Sequence, residues 1–231
     1  MTTLTMSVRY FQDSTPDHVP CREENFVRRE VVMALPLAHT ALVLVDVWDN
    51  HFIESWLERA TKITKEAVVP VLQAARGAGI TVVHAPSPPV EFRARSGEYA
   101  AFRGPRSQPP GIPGIPQLGM SPLVEVREDE YVVATGDQLQ EVAEERGILH
   151  MIFAGFATNW CILNRDYGMR AMAQRGYNLI LLRDATAGVE FPDTVDEHFA
   201  TEIAIREVEQ QLGFTAANGD YFAACNGVLK D

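Results

Sequence analysis

The chain has 231 residues, 46% of them hydrophobic, and a mean hydropathy near zero. Length and composition predict one soluble globular domain that can bury a full core. The formal net charge of −11 argues against a nucleic-acid-binding protein, because such proteins present a basic surface to the phosphates. An acidic surface that keeps the protein soluble is the simpler interpretation.

Membrane and secretory signals are missing from the sequence. No apolar run approaches the ~18 residues that a membrane-spanning helix needs, and residues 1–6 lack the basic and apolar regions of a signal peptide. The three cysteines, Cys21, Cys161 and Cys225, show no paired spacing, so neither a disulfide framework nor a zinc site is indicated. We therefore expect a cytoplasmic protein with no membrane partner.

Residues 1–38 are an extension ahead of the first predicted central strand, in one domain that spans residues 1–231. Part of this extension, from Phe26 to Met33, alternates between apolar and polar residues and predicts an edge strand. The extension either packs across the sheet or reaches a neighbouring subunit, and the sequence leaves both possibilities open.

Apolar runs and amphipathic stretches alternate through the rest of the chain. Continuous apolar runs are typical of central parallel strands, so the pattern predicts an α/β fold with a doubly wound, mostly parallel sheet and helices on both faces. Pro70 predicts a kink or break in the first helix. The predicted strands are 41–45, 80–84, 124–126, 150–154 and 178–182, and the predicted helices are 55–77, 138–146 and 195–212. From residue 215 we expect a short strand or coil.

Prolines and glycines are interleaved throughout residues 85–122. A long segment of this composition inside a compact domain is usually a functional loop or lid. Its arginines either face an anionic substrate or solvate a surface loop; they are Arg93, Arg95, Arg103 and Arg106.

Residues 150–184 predict a strand, a turn at Gly155, a helix from Cys161 to Gly176 and a second strand, which together form one parallel crossover. Cys161 lies where the turn becomes the helix. A helix N-terminus lowers the pKa of a thiol, and its free N–H groups can hold an oxyanion. The position therefore indicates a nucleophile; the alternative is a buried packing residue, as many free cysteines are.

Residues 155–161, Gly-Phe-Ala-Thr-Asn-Trp-Cys, resemble the G-x-x-T-x-x-C signature of the isochorismatase-like cysteine hydrolases. That family includes nicotinamidases, N-carbamoylsarcosine amidohydrolases, ureidoacrylate and biuret hydrolases, and isochorismatases. The resemblance extends to residues 42–46, 176–177 and 183–186, and it covers roughly residues 40 to 215. It implies a Rossmann-like three-layer sandwich, a homodimer or homotetramer, and a small-molecule substrate.

The resemblance implies that Asp46 is the residue that takes the proton from the thiol and later passes it to the leaving amine. Asp46 ends the first central strand and Cys161 follows a neighbouring one, so both are expected at the carboxyl edge of the sheet. The alternative for Asp46 is a helix cap or turn residue. The resemblance also places a non-proline cis peptide between Phe156 and Ala157, which would aim the N–H groups of Ala157 and Cys161 at the oxyanion.

The family lysine that completes this site has no match, because the lysines of this chain are Lys62, Lys65 and Lys230. Arg127 is the nearest cation in the corresponding segment and is the substitute candidate. An arginine keeps the charge but cannot give up a proton. Alternatively, Arg127 only pairs with a neighbouring glutamate.

Four further side chains are candidates to bind substrate or to line the pocket: Trp48, His84, Asn159 and Trp160. Asp49 and His51 have the Asp-x-His spacing of the nicotinamidase metal pair, but they come earlier in the chain than that pair does. A catalytic zinc needs about three protein ligands, which we cannot assemble here. We therefore predict no metal and no cofactor.

These features predict a cysteine hydrolase that cleaves a C–N bond of a small amide, ureido or carbamoyl compound through a thioester. Two alternatives remain open. One is an isochorismatase-type vinyl-ether hydrolase, which does not need the cysteine as a nucleophile. The other is a non-catalytic binding protein on the same fold, which the missing lysine would explain.

Overall fold

A computed structural model describes residues 2–87 and 119–229. Its strands are β1 (Thr3–Gln12), β2 (Val27–Pro36), β3 (Thr40–Val45), β4 (Thr81–Ala85), β5 (Tyr131–Val132), β6 (His150–Phe156), β7 (Asn178–Ala187) and β8 (Phe214–Ala216). Its α-helices are α1 (Glu54–Ile63), α2 (Val69–Ala78), α3 (Gly136–Arg146), α4 (Met169–Gln174), α5 (Phe199–Glu207) and α6 (Asn218–Val228). The π-helical turns are Thr64–Val68, Thr158–Ile162 and Val208–Leu212.

The strands of this described part form one eight-stranded sheet in the order β2-β1-β8-β7-β6-β3-β4-β5. Strands β3 to β8 are parallel to one another, and β1 is antiparallel to both β2 and β8. The chain winds from β3 through β4 to β5 in one direction, then from β6 through β7 to β8 in the other. The predicted doubly wound, mostly parallel sheet is confirmed, and its order reverses between β3 and β6.

Two hydrophobic cores lie on opposite faces of the sheet. Successive side chains of a strand point to opposite faces, so Leu42 and Leu44 of β3 pack with α1, α2 and α6, whereas Val43 and Val45 pack with α3, α4 and α5. All six residues of β3 are buried. A strand covered on both faces has a continuous apolar sequence, which is why β3 could be predicted.

The N-terminal extension forms a β-hairpin on one edge of the sheet. β2 is the outermost strand and contains the predicted edge strand, while β1 pairs with β8 at Arg9 and Thr215. Buried Glu209, from the turn after α5, binds both Arg9 and Arg28, and it accepts a hydrogen bond from Thr215 Oγ1 at 2.6 Å. The extension therefore lengthens the sheet rather than packing across it.

The region predicted as one helix over 55–77 is α1, a π-helical turn and α2. Pro70 lies in the first turn of α2, but Val68 and Val69 before it are already helical, so the proline falls inside a continuous helical run and the π-helical turn Thr64–Val68 directly precedes it. The irregularity therefore precedes the proline. The strand predicted over 124–126 is wrong: Pro122–Val124 forms a 3-10 turn, and the edge strand of this region is β5.

The helix predicted from Cys161 is interrupted, because the chain turns at residues 165–168 and α4 begins only at Met169. Gly155 lies within β6 at φ 109° instead of in a turn after it. The helix predicted from residue 195 begins at Phe199. At the C-terminal end, β8 contains the short strand expected near residue 215, but the helix α6 that follows it was not predicted.

Most of the Pro- and Gly-rich segment, including all four of its arginines, lies outside the described residues. Its C-terminal end pairs with the chain after β3, since Ser121 N–H donates to Val47 O at 2.9 Å. None of the helices within residues 2–87 and 119–229 combines the length and the apolarity needed to cross a lipid bilayer.

Candidate active site

Asp46 follows β3 at the carboxyl edge of the sheet, where the strand order reverses. Its side chain is buried and its backbone has φ 48°, so the chain leaves the strand direction at this residue. Ser87 binds both carboxylate oxygens: its N–H donates to Oδ1, and its Oγ donates to Oδ2 at 2.6 Å. These two bonds fix the orientation of the carboxylate.

Cys161 comes to the same edge from the neighbouring strand. β3 and β6 are paired up to Val45 and Gly155, and the Phe156–Ala157 peptide that follows is cis, as the resemblance implied. The π-helical turn Thr158–Ile162 then carries Cys161, which is partly buried. The thiol of Cys161 and the carboxylate of Asp46 come close enough for each to shift the pKa of the other.

The turn that carries Cys161 is bound to the end of β7. Thr158 Oγ1 and Thr186 Oγ1 lie 2.7 Å apart, and both side chains are buried. Asn159 donates from Nδ2 to Val189 O at 2.8 Å and accepts from Val189 N at 2.9 Å. Asn159 therefore holds the turn to the segment after β7, a role that the sequence did not indicate.

The electrostatics of the pair differ from the sequence prediction. Burial raises the pKa of Cys161 to about 12, and the charge of Asp46 adds to this effect. Burial also raises the pKa of Asp46, although the nearby Cys161 thiol and the hydrogen bonds from Ser87 oppose the change. The predicted lowered pKa of Cys161 is thus wrong, because desolvation and a neighbouring carboxylate outweigh the helix terminus. The resting cysteine is a thiol that holds its proton next to a base.

Arg165 and Tyr167 complete this cluster, and the sequence interpretation missed both. The positive charge of Arg165 lowers the pKa of Cys161 and of Asp46, against the larger effect of burial. Tyr167 is fully buried, and its hydroxyl donates to Ser87 Oγ at 3.5 Å. The position of Arg165, four residues after Cys161, was the available signal, because residues at this spacing share one face of a helical turn.

The other predicted binding residues lie around the pair. Phe156 and Ala157 are buried at the end of β6, and Phe156 packs edge-to-face against Trp56 at 5.7 Å. Trp160 directly precedes the cysteine and is 43% exposed. Trp48 is 8% exposed and pairs through its backbone with Met120. Trp160 is thus the more accessible of the two tryptophans.

Arg127 and His84 lie elsewhere. Arg127 lines a surface cleft with Thr81 at the amino end of β4, whereas Asp46 and Cys161 are at the carboxyl edge. His84 is buried, and its Nε2 lies 2.9 Å from Glu130 Oε2. Side-chain alternation puts His84 on the opposite face of β4 from Val83 and Ala85, which belong to the core that contains Tyr167. The structure brings neither residue to the cysteine.

Glu130 holds together a second polar cluster, which consists of Arg76, His84 and Glu130 itself. Replacement of Glu130 by glutamine tests that role. Burial alone would raise the pKa of Glu130, but hydrogen bonds from Arg76, the Arg127 backbone and His84 hold the pKa at about 2. A carboxylate with a lowered pKa stabilises the fold above its ordinary pKa of 4.5, and this contribution is lost as pH falls toward 2. Urea unfolding should show Glu130→Gln less stable by about 2 kcal/mol at pH 7.

The same urea titrations, repeated at lower pH, provide the control for this prediction. The difference between the wild type and Glu130→Gln should shrink between pH 4.5 and pH 2, because the wild-type carboxylate becomes protonated there. A difference that stays constant with pH would mean that the ionised form of Glu130 contributes nothing.

The Asp-x-His pair has other partners in the structure. Asp49 Oδ1 accepts a hydrogen bond from Gly119 N at 3.2 Å, and His51 Nδ1 accepts one from Ile53 N at 3.1 Å. The His51 ring is stacked on Phe52 with 4.4 Å between centroids. Within the described part of the chain, no three His, Cys, Asp or Glu side chains come together so that they could hold a metal ion.

Solved structures share this fold at low sequence identity. A cysteine hydrolase from Pseudomonas syringae pv. phaseolicola 1448A is 19% identical, with a TM-score of 0.59 over 84% of this chain and 95% of its own. An isochorismatase family protein from Burkholderia thailandensis is 20% identical, with a TM-score of 0.60; the match covers 82% of this chain and 96% of its own. An isochorismatase-like hydrolase from Alkaliphilus metalliredigens is 18% identical, with a TM-score of 0.56; the match covers 80% of this chain and 98% of its own.

No curated protein matches this chain. Its sequence does match the isochorismatase domain over residues 40–213, which is most of the chain. That range runs from the start of β3 to the end of the turn after α5, and it contains both Asp46 and Cys161. The chain belongs to the isochorismatase family.

Proposed function

We propose that this chain is a cysteine hydrolase that cleaves the C–N bond of a small amide, ureido or carbamoyl compound. The observation that carries the proposal is the meeting of the Cys161 thiol and the buried carboxylate of Asp46, which follow the paired strands β6 and β3 and shift each other's pKa. A nucleophile and a base within hydrogen-bond reach, with the base held by a third group, are the parts that covalent catalysis needs. Ser87 is the third group here.

In the first half of the reaction, Asp46 takes the thiol proton as Cys161 Sγ attacks the carbonyl carbon. The tetrahedral intermediate then collapses, the C–N bond breaks, and the proton moves from Asp46 to the leaving nitrogen. An amine leaves, and the acyl group stays on the sulfur as a thioester. Because burial keeps the resting thiol protonated, negative charge develops on the sulfur only as Asp46 takes the proton.

Water completes the cycle. Asp46 accepts a proton from the water that attacks the thioester, the C–S bond breaks, and the proton returns to the sulfur. The backbone N–H groups of Ala157 and Cys161 are the candidate donors to the oxyanion in both halves, since Ala157 directly precedes the turn and Cys161 lies within it.

The test is turnover of a panel of small amides, ureido acids and carbamoyl compounds by Cys161→Ser and Cys161→Ala. Both variants should lose activity on any substrate that the wild type hydrolyses, and mass spectrometry of the quenched wild type should show the acyl group on Cys161. Cys21→Ser, at an exposed cysteine, is the matched control and should keep full activity. Retained turnover in both Cys161 variants would overturn the proposal, and retained cleavage of isochorismate would favour the vinyl-ether alternative.

A further inference from the structure

A cysteine hydrolase must stabilise negative charge on sulfur once the thiol has given up its proton. The family uses a lysine, and the lysines within the described residues do not serve here: Lys62 and Lys65 are exposed on or next to α1. Arg127 lies at the other end of the sheet. Among the described residues, Arg165 is the cation whose charge acts on the pKa of Cys161.

Arg165 is fixed to the turn of the nucleophile itself. Its backbone N–H donates to Cys161 O at 3.2 Å, so the two residues are one helical turn apart. Its Nε is buried and has no hydrogen-bond partner among the described residues. A buried N–H donor without a partner is costly unless a negative group comes to it. The thiolate, or the substrate bound to it, is such a group.

The backbone that presents Arg165 is held on both sides. Gly168 N–H donates to Arg165 O at 2.8 Å, and a Cβ at Gly168 would lie 2.9 Å from both Arg165 N and Arg165 O. Asp166 accepts a hydrogen bond from Gly136 N at 2.8 Å, which ties the turn to the start of α3. Tyr167 contacts Ser87, the residue that orients Asp46. One turn, 165–168, therefore serves both the nucleophile and the base.

We propose that Arg165 is the catalytic cation of this site, which stabilises the sulfur anion that forms when Asp46 takes the thiol proton. Arg165 stays protonated. Burial alone would lower the pKa of Arg165, but Cys161, Asp46 and Tyr167 together raise it above its ordinary value. Unlike a lysine, an arginine cannot give up a proton, so every proton transfer falls to Asp46. This inference rests on the proposed function.

The test measures the sulfur directly and needs no substrate. In a Cys21→Ser background, iodoacetamide alkylation of Cys161 is followed by mass spectrometry from pH 7 to pH 10 for the wild type, Arg165→Gln and Arg165→Lys. A nearby opposite charge moves a pKa by about 1–3 units, so Arg165→Gln should be alkylated about tenfold or more slowly at each pH. Arg165→Lys should recover at least part of the rate, because it restores the charge.

Arg206→Gln is the matched control, since it removes an exposed arginine on α5 and should leave the alkylation profile unchanged. If Arg165→Gln does not fold, Arg165→Met provides a neutral side chain of similar length. A folded neutral variant with the wild-type alkylation profile would overturn the proposal, as would an Arg165→Lys rate no faster than that of Arg165→Gln. Failure of the proposed function would appear separately, as turnover that survives loss of Cys161.

Discussion

Replacing Asp46 with asparagine should lower turnover by about 10²- to 10⁴-fold, the usual contribution of a general base, and yet make Cys161 easier to alkylate. The two effects have one cause. Burial and the charge of Asp46 raise the pKa of Cys161, so a neutral residue at position 46 removes the second contribution and lowers that pKa. Because each pKa unit is a tenfold change, iodoacetamide should react about tenfold or more faster at pH 8.

Asparagine is a suitable replacement at this position for structural reasons. It keeps Oδ1, which accepts the hydrogen bond from Ser87 N–H, and it tolerates a φ of 48° better than most residues. Asp137→Asn, at a carboxylate that pairs with Arg175 on the surface, is the control and should change neither measurement. Slower alkylation by Asp46→Asn would contradict the assigned role, because it would mean that the carboxylate favours the thiolate.

A scaffold protein on this fold would respond differently. There, Asp46 and Cys161 would only pack against each other. Asp46→Asn would then change stability, but it would not lower turnover and at the same time speed the alkylation of Cys161. The paired measurement therefore separates the enzyme from the non-catalytic alternative, which amino-acid pattern alone left open.

The central strands could be predicted because their burial leaves a direct signal in the sequence. Residues 41–45 of β3, 151–154 of β6 and 179–182 of β7 are covered on both faces, so each is a continuous apolar run. The prediction of one uninterrupted helix after Cys161 was wrong for a different reason. Ile162, Leu163, Met169 and Met172 all pack into one core, and their spacing imitates a single helix although the chain turns between them. Hydrophobic spacing reports which face is buried and does not report continuity.

The choice of the cation shows a second limit of prediction from the sequence. Arg127 was chosen for its place along the chain, by analogy with the family lysine, but the segment that contains it reaches the sheet at the amino end of β4. Arg165 lies only four residues from Cys161, so local helical geometry was the more reliable guide. Burial, which sets the pKa of both Cys161 and Asp46, comes from the assembled fold and cannot be inferred from either residue alone.

Gly155→Ala should be the most destabilising single methyl addition near the site. A Cβ at Gly155 would lie 2.1 Å from Val45 O and 2.9 Å from Val45 N, and its φ of 109° disfavours any side chain. β3 and β6 cannot separate to make room without losing the backbone pairing between them. Backbone strain and overpacking each cost about 1–3 kcal/mol, so the expected loss is about 2–6 kcal/mol in urea unfolding.

Gly77→Ala is the matched control for this substitution. It adds the same methyl group inside α2 where nothing lies within 4 Å, and it should stabilise the protein by about 0.5–1 kcal/mol. Wild-type stability in Gly155→Ala would show that β3 and β6 are farther apart than described. In the folded fraction of Gly155→Ala, the alkylation profile of Cys161 should also change, because Val45 directly precedes Asp46 and Gly155 leads into the turn of the nucleophile. The close approach of these two strands is therefore what sets the distance between the base and the sulfur.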